Sequence, residues 1–367
     1  MEYRYIPGTE ERISVIGLGS CYTYNNFPLI EQILDEALAR GINYFDTVMI
    51  ARDSFDYYRK AFGKVDRSSY NVQMHFGAVY GSGKYEWTRN VGTIKKDFEI
   101  QLEALDCQYA DVGLIHCIDT KEDFDDVMKN GLWKYALGMR ESGKVRHIGC
   151  STHNPDILRR FIDTNEINIA MFSVNMAYDY ANTGEYAMGE ANDRYKLYKE
   201  CECAQVGLVV MKPYGGKRLL VEELSPFKRS FSTSQCIQYD LDRPAVLTVV
   251  PGVSNIEHLN DALYYLDADP YERDYCGLAE LKDNNEHGLE GVCVYCDHCL
   301  PCPIGIDIGL VNKYYDLAVL GDRLAEQHYR NLSVGANECI QCGKCERACP
   351  FKVKQTENMK RIAAYFS

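Results

Sequence analysis

The chain has 367 residues, of which 46% are hydrophobic, 12% aromatic and 25% charged, which excludes a disordered, collagenous or low-complexity protein. Its 40 Lys and Arg against 53 Asp and Glu give a formal charge of −13 with no basic block. Nucleic acid and anionic membrane are therefore poor partners, because both are bound by Lys and Arg neutralising phosphate.

The first dozen residues mix charges and lack the apolar stretch of a signal peptide. No apolar run approaches the ~18 residues of a spanning helix. Both readings favour the cytoplasm, where the 16 cysteines are thiols or metal ligands rather than disulfides.

In chain order, eight short apolar or β-branched runs fall at 13–19, 43–47, 71–78, 111–117, 145–151, 167–175, 206–213 and 246–253. Their mean repeat, (246 − 13)/7, is about 33 residues, the size of one βα unit. Segments between them, such as 28–41 and 93–106, carry apolar residues at helical spacing and end at Gly or an Asp-containing turn. The pattern predicts an α/β fold, a (β/α)8 TIM barrel of roughly 250 residues or more. An open doubly wound sheet is the alternative, but its phosphate-binding signature is incomplete: Gly17 and Gly19 begin it, and Tyr22 stands where the third glycine belongs.

Barrels of this kind react at the C-terminal ends of their strands. Asp46, His75 and His116 each stand at such an end and should converge near the barrel axis. Two imidazoles and a carboxylate suit acid–base chemistry, with metal ligation or plain packing as the other readings. Cys21 is a candidate nucleophile or redox thiol, and Tyr22, Tyr24 and Tyr178 are phenols near the same mouth.

The cysteines shift in density late in the chain. Eight are scattered before residue 290, and eight form two runs after a polar stretch at 283–291 that reads as a linker. This predicts a barrel over 1–285 and a smaller, mostly helical ferredoxin-like domain over 286–367. The first run holds Cys293, Cys296, Cys299 and Cys302, followed by Pro303; the second holds Cys339, Cys342, Cys345 and Cys349, followed by Pro350. Two-residue spacing lets thiolates converge on one side of a loop, and in two-cluster ferredoxins the fourth Cys reaches the other cluster. By that logic Cys293, Cys296 and Cys299 share a cluster with Cys349, and Cys339, Cys342 and Cys345 share one with Cys302. The first run is one residue short of the ferredoxin spacing before its last Cys. Structural zinc is the competing reading, but two runs of four, each closed by Cys-Pro, fit two [4Fe-4S] clusters better.

The segments 41–47, 114–120, 143–154, 207–216 and 249–255, in that order, resemble the aldo/keto reductase family, in the branch with a C-terminal ferredoxin-like extension. The resemblance implies a barrel that reduces carbonyls with NAD(P)H. It places Ser151, Lys212, Lys217, Arg218, Gly252 and Ser254 on the cofactor face. Where the family often carries a basic residue for the extra phosphate of NADP, this chain reads Val-Ser-Asn-Ile-Glu-His at 253–258. The family's catalytic set is an Asp, a Tyr five residues later, a Lys and a His. Asp46 and His116 match the first and last, Ala51 falls at the Tyr, and His75 falls at or beside the Lys.

The expected function is that of an anaerobic iron–sulfur oxidoreductase acting on a small organic substrate. Electrons would pass through the clusters, with a ferredoxin or flavodoxin as a partner and NAD(P)H as the cofactor that the resemblance implies. The alternatives are a non-redox lyase, isomerase or dehydratase with structural clusters, and a binding or assembly protein with a decayed site.

Overall fold

The computed structural model of the chain describes residues 1–21, 23, 26–181, 187–276, 291, 293, 295–319 and 323–367. The expected boundary at 285/286, the linker up to residue 290, Tyr22 and Tyr24 lie outside the described residues.

The chain opens with an antiparallel hairpin, β1 (Tyr3–Tyr5) and β2 (Arg12–Ser14). The barrel follows as β3 (Tyr44–Asp46), β4 (Asn71–Phe76), β7 (Ala110–Ile115), β8 (Val145–Thr152), β9 (Ile169–Ser173), β10 (Gly207–Met211) and β11 (Val246–Val249). A second hairpin, β5 (Ala78–Val79) with β6 (Glu86–Trp87), is inserted after β4. The seven barrel strands pair in parallel in the order β11-β10-β9-β8-β7-β4-β3.

Residues 15–21 close the ring. Ile16 and Cys21 bridge Val249 and Val253 on one side, and Leu18 bridges Phe45 on the other. Here the expected first strand, 13–19, divides: its start belongs to the outer hairpin and its remainder to the barrel. Glycine is required at the closure, because a Cβ on Gly19 would lie 2.8 Å from the Val250 carbonyl oxygen.

Period-two alternation assigns the barrel's two faces. Phe45, Met74, Phe76, Ile115, Ile148, Phe172, Val210 and Val249 face outward into the large core shared with the helices. Tyr44, Val112, Leu114, Ile169, Met171, Val209 and Leu247 fill the interior, and Ile6 and Ile13 of the first hairpin pack with them. Asp46, Gln73 and His75 share the inward parity of Tyr44, and His116 that of Leu114. The alternation therefore delivers these polar groups to the C-terminal mouth.

Side-chain caps start the covering helices: Asn90, Thr120, Asn154 and Asn255 accept from backbone N–H groups of the first turns of Val91–Ala104, Lys121–Lys129, Pro155–Ile162 and Ile256–Leu263. The segments expected to be helical at 28–41 and 93–106 form the helices Phe27–Ala39 and Val91–Ala104.

The C-terminal region is helical, with Ile308–Val319, Arg323–Arg330, Lys344–Ala348 and Gln355–Phe366. It docks on the barrel helix Ala191–Cys203. There Tyr195 donates to the Cys293 carbonyl (2.5 Å), while Lys199 and Tyr295 both reach Asp316 (2.6 Å each). Among the described residues no helix is long and apolar enough to cross a membrane.

Candidate active site and cysteine cavities

A cavity of about 1020 Å³ opens at the C-terminal mouth of the barrel. That is at the upper end of the roughly 300–1,000 Å³ usual for ligand pockets. Asp46, His75 and His116 line it, and so do Ser151, Lys212, Lys217, Arg218, Gly252 and Ser254. The strand ends and the loops after them thus bring together Asp46, His75 and His116 with the residues expected on the cofactor face.

On its floor the titratable groups form one hydrogen-bonded line. His75 Nε2 lies 3.0 Å from Asp46 Oδ1, and His75 Nδ1 lies 2.9 Å from His116 Nδ1, with the rings edge to face. His116 Nε2 then meets the Tyr85 hydroxyl at 2.6 Å. The Gln73 amide stands 3.1 Å from His75 Nε2 and 2.5 Å from the Tyr44 hydroxyl. Burial first, and then His75, Arg89 and His153, push the His116 imidazole well below its ordinary pKa, so it is neutral at pH 7.

Tyr85 is the member that the sequence reading missed. It sits on the β5–β6 hairpin, whose turn Gly81-Ser82-Gly83 is flanked by Val79-Tyr80 and Tyr85-Glu86-Trp87, a local hairpin signal. The hairpin is anchored inward: Tyr80 Oη accepts from Met49 N–H (2.6 Å), and the Tyr80 N–H donates to Asp97. Arg89, just beyond it, forms a two-point pair with Asp123 (2.7 and 2.6 Å) and donates to the Cys117 carbonyl.

Cys21 is not a reactive thiol. It is buried, accepts from the Tyr58 hydroxyl (3.5 Å), and burial pushes its pKa up to about 12. Cys117 does line the cavity, with its thiol pushed up to about 11 by burial and by the adjacent Asp119. Tyr178 also lines it, carried by the turn Ala177–Ala181. That turn is pinned by buried Asp179, which accepts from Arg194 Nε (2.7 Å), Tyr198 (2.7 Å) and Tyr239 (2.7 Å).

The late cysteines line two smaller, largely apolar cavities. One is bordered by Cys293, Cys296, Cys299 and Cys349 together with Phe351 and Val353. The other is bordered by Cys302, Cys339, Cys342 and Cys345, with Cys299 on the shared wall and Ile304, Ile306 and Met359 around it. Each expected set of four borders one of these cavities, and Cys299 borders both. Four thiols converging on one space are the donor set of an iron–sulfur cluster, and the residues fit that group; Asp297 and His298 also border the first cavity, and Cys276 and His298 lie close to Cys296.

A closed parallel barrel with a polar mouth, joined to a small domain built around two four-cysteine cavities, defines a barrel protein of iron–sulfur type. The chain belongs to the aldo/keto reductase family, whose model matches residues 15–230, more than half of it. A second match, to the 4Fe-4S dicluster domain, covers residues 291–353. Among curated proteins, it is 23% identical to the uncharacterized oxidoreductase YqkF of Bacillus subtilis, over 71% of this chain and 90% of that one. It is 29% identical to probable aldo-keto reductase 1 of Glycine max over 40% of this chain and 42% of that one. The aldo-keto reductase AKR11C1 of Bacillus halodurans superposes with a TM-score of 0.61 at 21% identity, over 77% of this chain and 96% of that one, a likeness of fold.

Proposed function

We propose that this aldo/keto reductase family member is an iron–sulfur oxidoreductase acting on a small organic substrate in the barrel mouth. The observation that carries the reading is the unbroken Asp46–His75–His116 line on the floor of the cavity, in a chain that also has two four-cysteine cavities. Cys293, Cys296, Cys299 and Cys349 would hold one [4Fe-4S] cluster, and Cys302, Cys339, Cys342 and Cys345 the other. When bound, the clusters supply one-electron steps and a nicotinamide supplies hydride.

Ser151, Gly252 and Ser254 offer polar contacts in the walls for a nicotinamide nucleotide, and exposed Lys217 and Arg218 offer cations for its phosphates. His75, His116 and Asp46 hold and move the proton that accompanies reduction of a carbonyl or oxidation of an alcohol. Ala51 has only a methyl group where the family's phenol is expected, so the proton does not come from there. The acidic, cysteine-rich chain fits a cytoplasmic, oxygen-poor setting with a ferredoxin or flavodoxin as electron partner.

The test is anaerobic purification followed by iron and acid-labile sulfide analysis. Close to eight of each per chain, four per cluster, supports the reading. Stoichiometric zinc without sulfide would defeat it.

A further inference from the structure

We propose that Tyr85 is the residue that exchanges a proton with an oxygen of the bound substrate, and that His116, His75 and Asp46 form the relay behind it. This rests on the oxidoreductase reading and names the proton-transferring residue of the same site.

The first argument is placement. The segment 83–85 is stitched to 50–52: Arg52 N–H donates to Gly83 O (3.0 Å), Tyr85 N–H donates to Ile50 O (3.2 Å), and Ala51 bridges Lys84 in antiparallel fashion. The hairpin thus brings a phenol and an ammonium, Tyr85 and Lys84, to the cavity wall beside the position whose own side chain is a methyl. A phenol missing at residue 51 is supplied from a different loop of the same mouth.

The second argument is access. Tyr85 is 36% exposed and lines the cavity, while His75 and His116, which also line it, are only 3% and 7% exposed. A substrate oxygen reaching the floor therefore meets the phenol of that line. Tyr80, the neighbouring phenol, is buried at 2% with its oxygen committed to the Met49 N–H.

The third argument is the direction of the hydrogen bonds, which follows by elimination. Asp46, as a carboxylate, only accepts, so His75 carries a proton on Nε2. With one proton on His75 its Nδ1 is bare, and neutral His116 then carries its proton on Nδ1. His116 Nε2 in turn accepts from the Tyr85 hydroxyl. Every bond points toward Asp46. A substrate hydroxyl giving its proton to Tyr85 Oη displaces the phenol proton to His116 Nε2. The Nδ1 proton of His116 passes to His75 Nδ1, and the Nε2 proton of His75 passes to Asp46. One O–H bond breaks at the substrate, one forms at the carboxyl, and no electrons move. Run backwards, the same line delivers a proton to a carbonyl oxygen as it becomes a hydroxyl. The substrate class is accordingly an alcohol or its carbonyl partner.

The test has two arms, both on cluster-loaded protein. In the first, 15N-histidine NMR at neutral pH compares wild type with Tyr85→Phe. Wild type should show His116 protonated on Nδ1 and His75 on Nε2, and the variant should move the His116 Nε2 signal to that of a ring nitrogen lacking a donor. A His116 proton on Nε2 in wild type overturns the relay. In the second arm, NADPH with glyceraldehyde and with 2,3-butanedione serve as probes. Tyr85→Phe should lower kcat at least ~100-fold with KM changed less than about twofold. A 3-fluorotyrosine at 85 should retain turnover and shift the pH profile toward acid. The groups around this phenol are His116, Tyr80 and Lys84, with His75 and Asp46 behind. Wild-type turnover in the Phe variant, or an unmoved profile, overturns the assignment. If wild type reduces neither probe, the first arm decides. Absence of iron and sulfide would sink the oxidoreductase reading and leave the histidine protonation pattern untouched, so the two failures are distinguishable.

Discussion

Replacing His116 with Gln probes the buried imidazole without any substrate. His116 is 7% exposed, and burial, helped by His75, Arg89 and His153, holds its pKa well below the ordinary value. In the unfolded chain the same imidazole titrates near 6.5. Below about pH 6.5 the unfolded state therefore takes up a proton that the folded state refuses, and folding loses free energy. The stabilisation from this group is complete above the unfolded value and falls away as pH drops toward the folded one. The limiting slope is about 1.4 kcal/mol per pH unit, so up to about 2 kcal/mol disappears between pH 6.5 and 5. Near pH 7.5 the Gln variant should be weaker by about 1–3 kcal/mol, because it disturbs the bonds to Tyr85 and His75. By pH 5 that gap should close by up to about 2 kcal/mol. Urea unfolding followed by tryptophan fluorescence reads this directly, because both tryptophans, Trp87 and Trp133, lie in the barrel. An identical gap at both pH values would refute the neutral, buried imidazole.

Cys345→Ser should lower iron from about eight to about four per chain and loosen the C-terminal helices, since ligation and folding are coupled in small metal domains; elemental analysis with circular dichroism checks both. Cys21 should resist alkylation in the folded protein at neutral pH and react only on unfolding, and mass mapping of a pulse-labelled sample shows which. Asp179→Ala should cost about 3–5 kcal/mol in a denaturant titration, because it strands the fully buried Arg194 guanidinium.

The barrel was legible because its strands are short apolar runs at a near-constant repeat, and the period-two pattern that buries Tyr44 and Leu114 also turns Asp46 and His116 toward the mouth. The iron–sulfur domain was legible because the two-residue cysteine spacing is local. The cavity-lining role of Ser151 and Lys212 came from the family resemblance, which encodes strand ends in order. Tyr85 was hidden for a physical reason. Its importance lies in a long-range contact with His116, 31 residues away, made through a hairpin inserted where one helix-bound loop was expected. Cys21 failed in the other direction: its position after the first strand suggested access, but the closure of the ring against Val253 buries it. The Tyr85–His116–His75–Asp46 contacts and the docking of Tyr195 on Cys293 are tertiary facts that no window of sequence contains.

The most direct test of the oxidoreductase reading is anaerobic titration of the cluster-loaded protein with NADPH, NADH and chemically reduced ferredoxin in turn, following cluster absorbance. Bleaching of the clusters by at least one of these donors, reversed on adding an oxidised substrate, is the predicted result. Clusters that stay oxidised with all three, while dithionite still reduces them, would contradict it.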